Sequence, residues 1–438
     1  MKLQKPKGTR DFYPSDMAWR RYLEDAWRRV SIRNGFEEVD GPIFESLDLY
    51  KVKSGDGIVS ELFHFTDRGD RDLAIRPEFT PTLARMVAEK ANTLPRPSKW
   101  FCMPNLCRAE SPQRGRLREF LQWNVDVIGL DDPVADVETI HTAIDLLREL
   151  GLSSEQVKVK VSHREVVRNI LSRLGVADDQ MLNAFQLLDA RDKMDGETFV
   201  KQAESLGLDA ATVERFNQVA RVRQPASLPW DQVKETFSVP TEDLEDLRTL
   251  HELLRAFGIA EWCEYDLGIV RGLAYYTGTV YEVHEVSGNE RAMAGGGRYD
   301  ELIGMFGSTD LPAVGFGMGD VVLSLVLKDK GVVPENVMPS PDAFVIVANN
   351  DSRHFAMPIV SKLRASGLHT RFSYRSTTNV GKLLKEANQQ RTKLAIIIDA
   401  NANDKGTVSV KNMLTGDQDN DVRMDDIVSL AQGAIAAG

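Results

Sequence analysis

The chain is 438 residues long, 42% hydrophobic and 27% charged, with a formal net charge of −11 at neutral pH, the profile of a soluble globular protein of roughly two to four domains. No apolar run approaches the roughly 18 residues of a spanning helix and the N-terminus lacks the apolar stretch of a secretory signal; a membrane partner is not expected, the cytoplasm is the expected compartment, and an organelle matrix is the alternative. Cys102, Cys107 and Cys263 stand apart, with no CxxC and no His at ligand spacing, so neither a disulfide framework nor a structural zinc site is supported, and buried, reduced core cysteines are expected.

In chain order, residues 5–14 carry too many breakers for a helix. Ser15 is then expected to cap a helix over 16–33, with Trp19, Tyr22, Leu23, Trp27 and Val30 at helical spacing and Gly35 as its stop. The segment Glu37–Glu45 contains Pro42 and reads as extended chain at a sheet edge or an interface. Residues 62–66 and 72–76 flank Asp67-Arg68-Gly69-Asp70-Arg71, a hairpin signal that delivers Arg76-Pro77-Glu78-Phe79-Thr80 just before a helix carrying Leu83, Met86 and Val87.

The stretch Trp100–Gly129 reads as two antiparallel strands joined by a long basic loop with Pro112 and Gly115. Period-2 alternation sends Leu121, Trp123, Val125 and Val127 to one face and Phe120, Gln122, Asn124, Asp126 and Ile128 to the other. The first face is half of a core; the second is half of a binding floor. A solvated hairpin with a charged tip is the plain alternative, but such a face more often carries Lys, Glu and Thr. Arg108 and Glu110 at the strand end, with Arg114, Arg116 and Arg118 in the loop, favour phosphate, whose oxygens the guanidinium fork matches.

Beyond the hairpin, 134–150 reads as helix and 157–161 as strand. From about 165 to 260 the pattern is almost unbroken amphipathic helix, the mark of a helical module inserted between two parts of a sheet. The sheet resumes at 262–266 and 279–285, separated by Gly268-Ile-Val-Arg-Gly-Leu-Ala-Tyr-Tyr-Thr-Gly278. The clusters Ala294-Gly-Gly-Gly-Arg-Tyr-Asp300 and Ala313-Val-Gly-Phe-Gly-Met-Gly-Asp320 allow backbone to approach a ligand or another strand, and Gly319 leads into a helix. Pro334, Pro339 and Pro341 mark a linker.

Residues 342–438 form a separate α/β pattern, with strands at 343–348, 369–372, 394–398 and 407–410 and helices at 353–365, 380–389 and 425–436. They carry 12 Lys and Arg against 10 Asp and Glu, whereas the rest of the chain carries 42 against 55. A slightly basic module on an acidic body permits a local nucleic-acid contact.

An Arg at a strand end, a second Arg in a Gly-flanked loop (Arg271), and acidic and amide groups between them suit displacement at phosphorus, where positioning and charge neutralisation provide most of the catalysis. There is no P-loop, nucleophile elbow or HExxH. The motifs Lys7-Gly-Thr-Arg-Asp11, Arg76-Pro-Glu-Phe-Thr80, Arg108-Ala-Glu with Pro112-Gln-Arg-Gly-Arg-Leu-Arg-Glu-Phe120 and Gln122, Arg271-Gly-Leu-Ala-Tyr-Tyr-Thr277, Gly295-Gly-Gly-Arg-Tyr-Asp300 and Ala313-Val-Gly-Phe316 occur in the order found in class II histidyl-tRNA synthetases. The chain resembles that family over nearly its whole length.

The resemblance implies an α+β fold: an antiparallel-sheet class II catalytic core over 1–325 with a helical insertion over 168–258, a linker over 326–341, and a mixed-sheet anticodon-binding domain over 342–438. It implies activation of L-histidine by ATP with Mg2+, transfer to the 3′ end of tRNA(His), and a homodimer formed near Pro42. Arg108 and Arg271 would flank the α-phosphate, Glu110 and Arg116 would serve ATP, and Glu78 and Thr80 would receive the α-ammonium. Gln122 would meet the carboxylate region, Asp126 and Tyr276 would hydrogen-bond the imidazole, and Tyr275, Arg298 and Tyr299 would line the histidine pocket. Lys382, Lys385, Arg391 and Lys393 are candidate tRNA contacts.

Two departures stand out. Ala274 replaces the family's usual Asp, and the final motif, usually Gly-x-Glu-Arg-Leu, continues here as Gly319-Asp320-Val321-Val322, without the Arg expected at the γ-phosphate. The alternative in another functional class is the synthetase-like, histidine-binding regulatory subunit of ATP phosphoribosyltransferase; such proteins usually lack the anticodon-binding domain.

Overall fold

The structure is a computed structural model and describes residues 3–54, 56–191, 194–237, 240–270 and 275–436. Two compact units divide the chain, the first ending at Glu335 and the second beginning at Asn336. The helix Asp320–Asp329 continues past residue 325 and belongs to the first unit.

The first helix, Pro14–Arg33, starts a residue before the expected Ser15 cap. Pro14 supplies a preset φ in the first turn, and Asp16 reaches back to accept the Tyr13 N–H at 3.1 Å. Its buried stripe of Leu23, Ala26, Trp27 and Val30 packs under a large sheet. The middle of that sheet runs Ser98–Cys102, Glu119–Ile128, Ala313–Gly319, Ala294–Arg298, Thr279–Glu285, Val157–His163, every neighbour antiparallel. Parallel pairs extend both ends, Glu37–Glu38 on Ser98–Cys102 and Cys263–Asp266 on Val157–His163.

The long strand Glu119–Ile128 is the spine of the unit. Leu121, Trp123, Val125 and Val127 enter the main core together with the helix Pro133–Glu149. Trp123 stacks on Trp27 with centroids 6.2 Å apart and meets Phe316 edge-on at 5.0 Å, and its indole N–H donates to Ser31 Oγ at 2.9 Å, so its one polar atom is satisfied in the core. The partner half of the hairpin is split in two, Ser98–Cys102 and Asn105–Cys107. Pro104 lies at the break because it has no N–H to give the ladder; its carbonyl accepts instead from Gln122 N at 3.1 Å.

Both glycine-rich clusters are strands, Ala294–Arg298 and Ala313–Gly319. Close approach explains the composition: a Cβ on Gly296 would stand 2.6 Å from Phe316 Cβ. The insertion is helical from Arg164–Arg173 through Glu245–Ala256, with one short strand, Arg223–Pro225, that periodicity did not reveal; it pairs with Cys263–Asp266. A smaller sheet orders Phe44–Ser46, Asp72–Ile75 and His64–Thr66, and contains the expected hairpin.

The second unit has a sheet ordered Thr370–Phe372, Ala343–Val347, Leu394–Ile398, Thr407–Asn412, Gln418–Arg423; the first three strands are parallel and the last two antiparallel. Val345, Ile396 and Ile398 pack on Ala356–Ala365 and Ile427–Ala436, while Phe344, Ile346, Ala395 and Ile397 pack on Val380–Gln389. Burial on both faces is why these strands read as unbroken apolar runs. Gln418–Arg423 escaped the sequence reading because it is an edge strand with Val422 as its one buried residue.

Candidate active site

The polar face of Glu119–Ile128 forms the floor of a cavity of ≈ 470 Å³. Phe120, Gln122, Asn124 and Asp126 line it, and Glu78, Thr80, Arg108, Arg116, Tyr275, Tyr276 and Tyr299 close on it from other elements. The neighbouring strand makes room. Gly315 lies across from Asp126 and Gly317 across from Asn124; a Cβ at 315 would collide with the Asp126 carboxylate, and one at 317 would stand 2.6 Å from Gln122 Nε2.

At the deep end, Tyr299 donates its hydroxyl to Asp126 Oδ1 at 2.6 Å. Asp126 is 6% exposed, and burial pushes its carboxyl up to about 7 although the Tyr299 hydrogen bond pulls the other way. Tyr275 completes an aromatic wall, 4.5 Å from Tyr276 and edge-on to Tyr299 at 6.2 Å between centroids.

Glu78 and Thr80 come from the start of the helix Thr80–Lys90. Arg76 anchors this turn from beneath: its guanidinium donates to Asp40 Oδ1 at 2.8 Å, Gly41 O at 2.9 Å and Asn105 O at 3.1 Å. Arg108 donates from Nε to Pro77 O at 3.0 Å and lies over the Phe120 ring at 5.2 Å.

The basic loop is tightly organised. Gln113 and Arg116 exchange backbone hydrogen bonds of 2.9 Å around Gly115, whose φ of +73° suits glycine. Arg118 donates to Glu110 O at 2.9 Å from its side chain, and to Gly8 O at 2.9 Å from its backbone. Arg116 pairs with Glu110. Burial, then the charges of Arg291 and Arg108, press the Arg116 pKa below its ordinary value. Asp320 is also committed: it pairs with Arg10 at 2.8 Å and accepts Leu121 N at 3.0 Å.

Several expected residues fall elsewhere. Arg298 is a correction: it is not among the cavity residues. Gly295 and Tyr299 line the cavity, and Arg298, adjacent to Tyr299, turns to the opposite face. There it forms a buried ion pair with Asp136, donates to Asp132 O at 3.0 Å and touches Asp300 at 3.3 Å. Glu110 reaches the cavity only through Arg116, and Arg114 is exposed and pairs with Glu290. Arg271 and Ala274 lie outside the described residues.

Glu282, His284 and Arg291 line the cavity without having been singled out. His284 Nε2 and Glu282 Oε2 are 2.8 Å apart. Their i, i+2 spacing on Thr279–Glu285 was a usable signal; Arg291, on a loop, had none.

The second unit has its own cavity of ≈ 190 Å³ at the carboxyl ends of Ala343–Val347 and Thr370–Phe372, lined among others by Arg353, Phe372, Tyr374 and Arg375. Tyr374 is 87% exposed with its ring 4.5 Å from Phe372. Of the four basic residues expected to touch tRNA, Lys382, Lys385 and Arg391 are exposed, while Lys393 pairs with Asp342 at 3.0 Å.

An antiparallel sheet with a polar, arginine-flanked floor, carried in one chain with a mixed α/β module, defines a class II aminoacyl-tRNA synthetase. The family model for histidyl-tRNA synthetase matches residues 8–320 and that for the anticodon binding domain matches 342–433. A histidine–tRNA ligase of Opitutus terrae is 38% identical over 409 residues, covering 93% of each chain, and one of Pyrococcus furiosus is 34% identical over 438 residues, covering 99% of each. The chain belongs to the histidyl-tRNA synthetase family. Its fold is that of the Nostoc histidyl-tRNA synthetase crystal structure, with a TM-score of 0.80 at 22% identity and 99% coverage of both chains. It also resembles a Bacillus halodurans structure described as an ATP phosphoribosyltransferase regulatory subunit/histidyl-tRNA synthetase, with a TM-score of 0.71 at 24% identity, covering 88% of this chain and 97% of that one.

Proposed function

We infer that the protein is a histidine–tRNA ligase that activates L-histidine with ATP and transfers it to the 3′ end of tRNA(His). The observation that carries this reading is the convergence of Glu78, Thr80, Arg108, Arg116, Gln122, Asp126, Tyr276 and Tyr299 on one cavity, joined to similarity over the full length, at 34% identity, to a histidine–tRNA ligase. Against the regulatory-subunit reading stands residues 342–433, matched to the anticodon-binding model.

In the first step a histidine carboxylate oxygen bonds to the α-phosphorus, the bond from that phosphorus to the bridging oxygen breaks, and pyrophosphate leaves with the electron pair. Arg108 and Arg271 stabilise the charge gathering on the α-phosphate oxygens, with Arg116, oriented by Glu110, on the outer phosphates. Glu78 and Thr80 take the α-ammonium and Gln122 the carboxylate region. Asp126, supported by Tyr299, and Tyr276 hydrogen-bond the imidazole; a side chain without ring nitrogens leaves those buried groups unpaired, which is the basis of selection. In the second step the terminal ribose hydroxyl of tRNA attacks the histidyl carbonyl and gives up its proton, the bond from the carbonyl carbon to the phosphate oxygen breaks, and AMP departs with the electron pair.

Mg2+ would enter with ATP and neutralise phosphate charge. Among the described residues no group of three His, Cys, Asp or Glu side chains is ready to hold a metal. None is needed by an ion that keeps waters and takes phosphate oxygens with one or two carboxylates. Glu282 is a carboxylate of the cavity wall able to face it.

The anticodon arm would meet the second unit at Tyr374 and Phe372, where an unpaired base can stack with Arg353 and Arg375 near its phosphates. A homodimer is supported by Ile43, Phe44 and Phe65, which are 62%, 52% and 44% exposed beside Pro42. No described helix is long and apolar enough to cross a membrane, and the cytoplasm is the proposed compartment. Charging of total tRNA with labelled histidine tests the reading: a histidine acceptor that saturates at the level of one tRNA species supports it, and no acid-precipitable histidine overturns it.

A further inference from the structure

The cavity carries a guanidinium that no sequence motif assigns. Arg291 sits on the loop between Thr279–Glu285 and Ala294–Arg298 and lines the cavity with Arg108 and Arg116. Its loop is fastened to the basic loop, because Arg114 Nε donates to Glu290 Oε1 at 2.9 Å and the Glu290 side chain is 8% exposed. The two loops meet at Gly115. The position that a Cβ on Gly115 would take is 3.7 Å from Arg291 Cδ and 3.3 Å from Val322 Cγ2, so Arg291 lies beside the place where the helix Asp320–Asp329 presents an uncharged Val322.

The charges nearby are unbalanced. Arg116 has Glu110 as its partner, and Glu290 is taken by Arg114. Among the described residues Arg291 makes no ion pair, yet its charge bears on Arg116 more strongly than that of Arg108 does. Like charges gathered on a cavity wall repel one another, and a ligand carrying several negative charges relieves that repulsion. The position along the cavity decides which part of the ligand is met. Arg108 is held against Pro77 O and Phe120, next to the floor of Gln122 and Asp126; Arg291 is beside Gly115 and Val322.

Resting on the ATP-dependent reading of this cavity, we propose that Arg291 binds the outer phosphates of ATP and then the departing pyrophosphate, supplying from the 286–293 loop the guanidinium that the helix at Val322 lacks. Its fork takes two phosphate oxygens at once, which a lysine cannot reproduce.

The test compares ATP with AMP in wild type, Arg291→Ala and Arg291→Lys. Titration in the presence of histidinol, which has no carboxylate to attack phosphorus, gives both dissociation constants without turnover. The expected result is an ATP constant raised roughly 10- to 100-fold by Arg291→Ala and less by Arg291→Lys, with AMP changed by less than about twofold. The KM for pyrophosphate in the reverse exchange rises with the ATP constant. Unchanged ATP binding, or equal weakening of ATP and AMP, overturns the assignment while leaving the ATP reading intact. A wild type that exchanges no pyrophosphate and binds no ATP overturns both.

Discussion

Tyr299 and Asp126 form a buried pair, hydroxyl to carboxylate at 2.6 Å, at the floor of the cavity. Burial outweighs the hydrogen bond and brings the Asp126 pKa up to about 7. A carboxyl raised above its unfolded value of about 4 binds its proton more tightly in the native state. Its stabilising contribution is complete below about pH 4 and is lost as pH rises through about 7. Urea unfolding at several pH values should therefore show Asp126→Asn gaining on wild type, by on the order of 3 kcal/mol, between pH 4 and 7. A stability difference independent of pH across that window contradicts the assignment.

Gly315 exists where a methyl group would strike the Asp126 carboxylate. Gly315→Ala should raise the KM for histidine by roughly tenfold or more, since a displacement near 1 Å in a site costs about that much or more. Gly196, whose added Cβ would meet nothing within 4 Å, is the control, and Gly196→Ala should leave histidine KM unchanged.

Arg298 holds the sheet to the helix Pro133–Glu149 through Asp136. Arg298→Ala leaves a buried carboxylate unpaired and should destabilise the protein by about 3–5 kcal/mol. Removing both partners in Arg298→Ala with Asp136→Ala should recover part of that loss in chemical denaturation. A single variant as stable as wild type but with a raised histidine KM would return Arg298 to the pocket.

This residue marks how far the sequence could be read. Alternation along Glu119–Ile128 separated Trp123 from Asp126 correctly because one face meets helices and the other a cavity. In Ala294–Arg298 a run of three glycines hides the two faces of the strand. Arg298 and Tyr299, adjacent in sequence, point in opposite directions. Arg291 was illegible for a different reason: its role depends on a loop seated against Gly115, a contact 176 residues away in chain position, the separation of Arg114 from Glu290. In the second unit the buried parallel strands were plain, whereas Gln418–Arg423 has too little apolar surface to register.

Tyr374 provides a separation of the two units by function. Tyr374→Ala should raise the KM for tRNA roughly 5- to 100-fold, the range for losing one stacked base, while pyrophosphate exchange, which needs no tRNA, stays at the wild-type rate. A loss of exchange in this variant would contradict the assignment.

The most direct measurement is ATP–pyrophosphate exchange with each of the twenty amino acids supplied singly, in wild type and in Arg108→Ala. Exchange confined to histidine in the wild type, and reduced at least about 100-fold in the variant, is the expected result. No exchange with any amino acid, while histidine still binds by calorimetry, would contradict adenylate formation and leave a histidine-binding regulatory protein in its place.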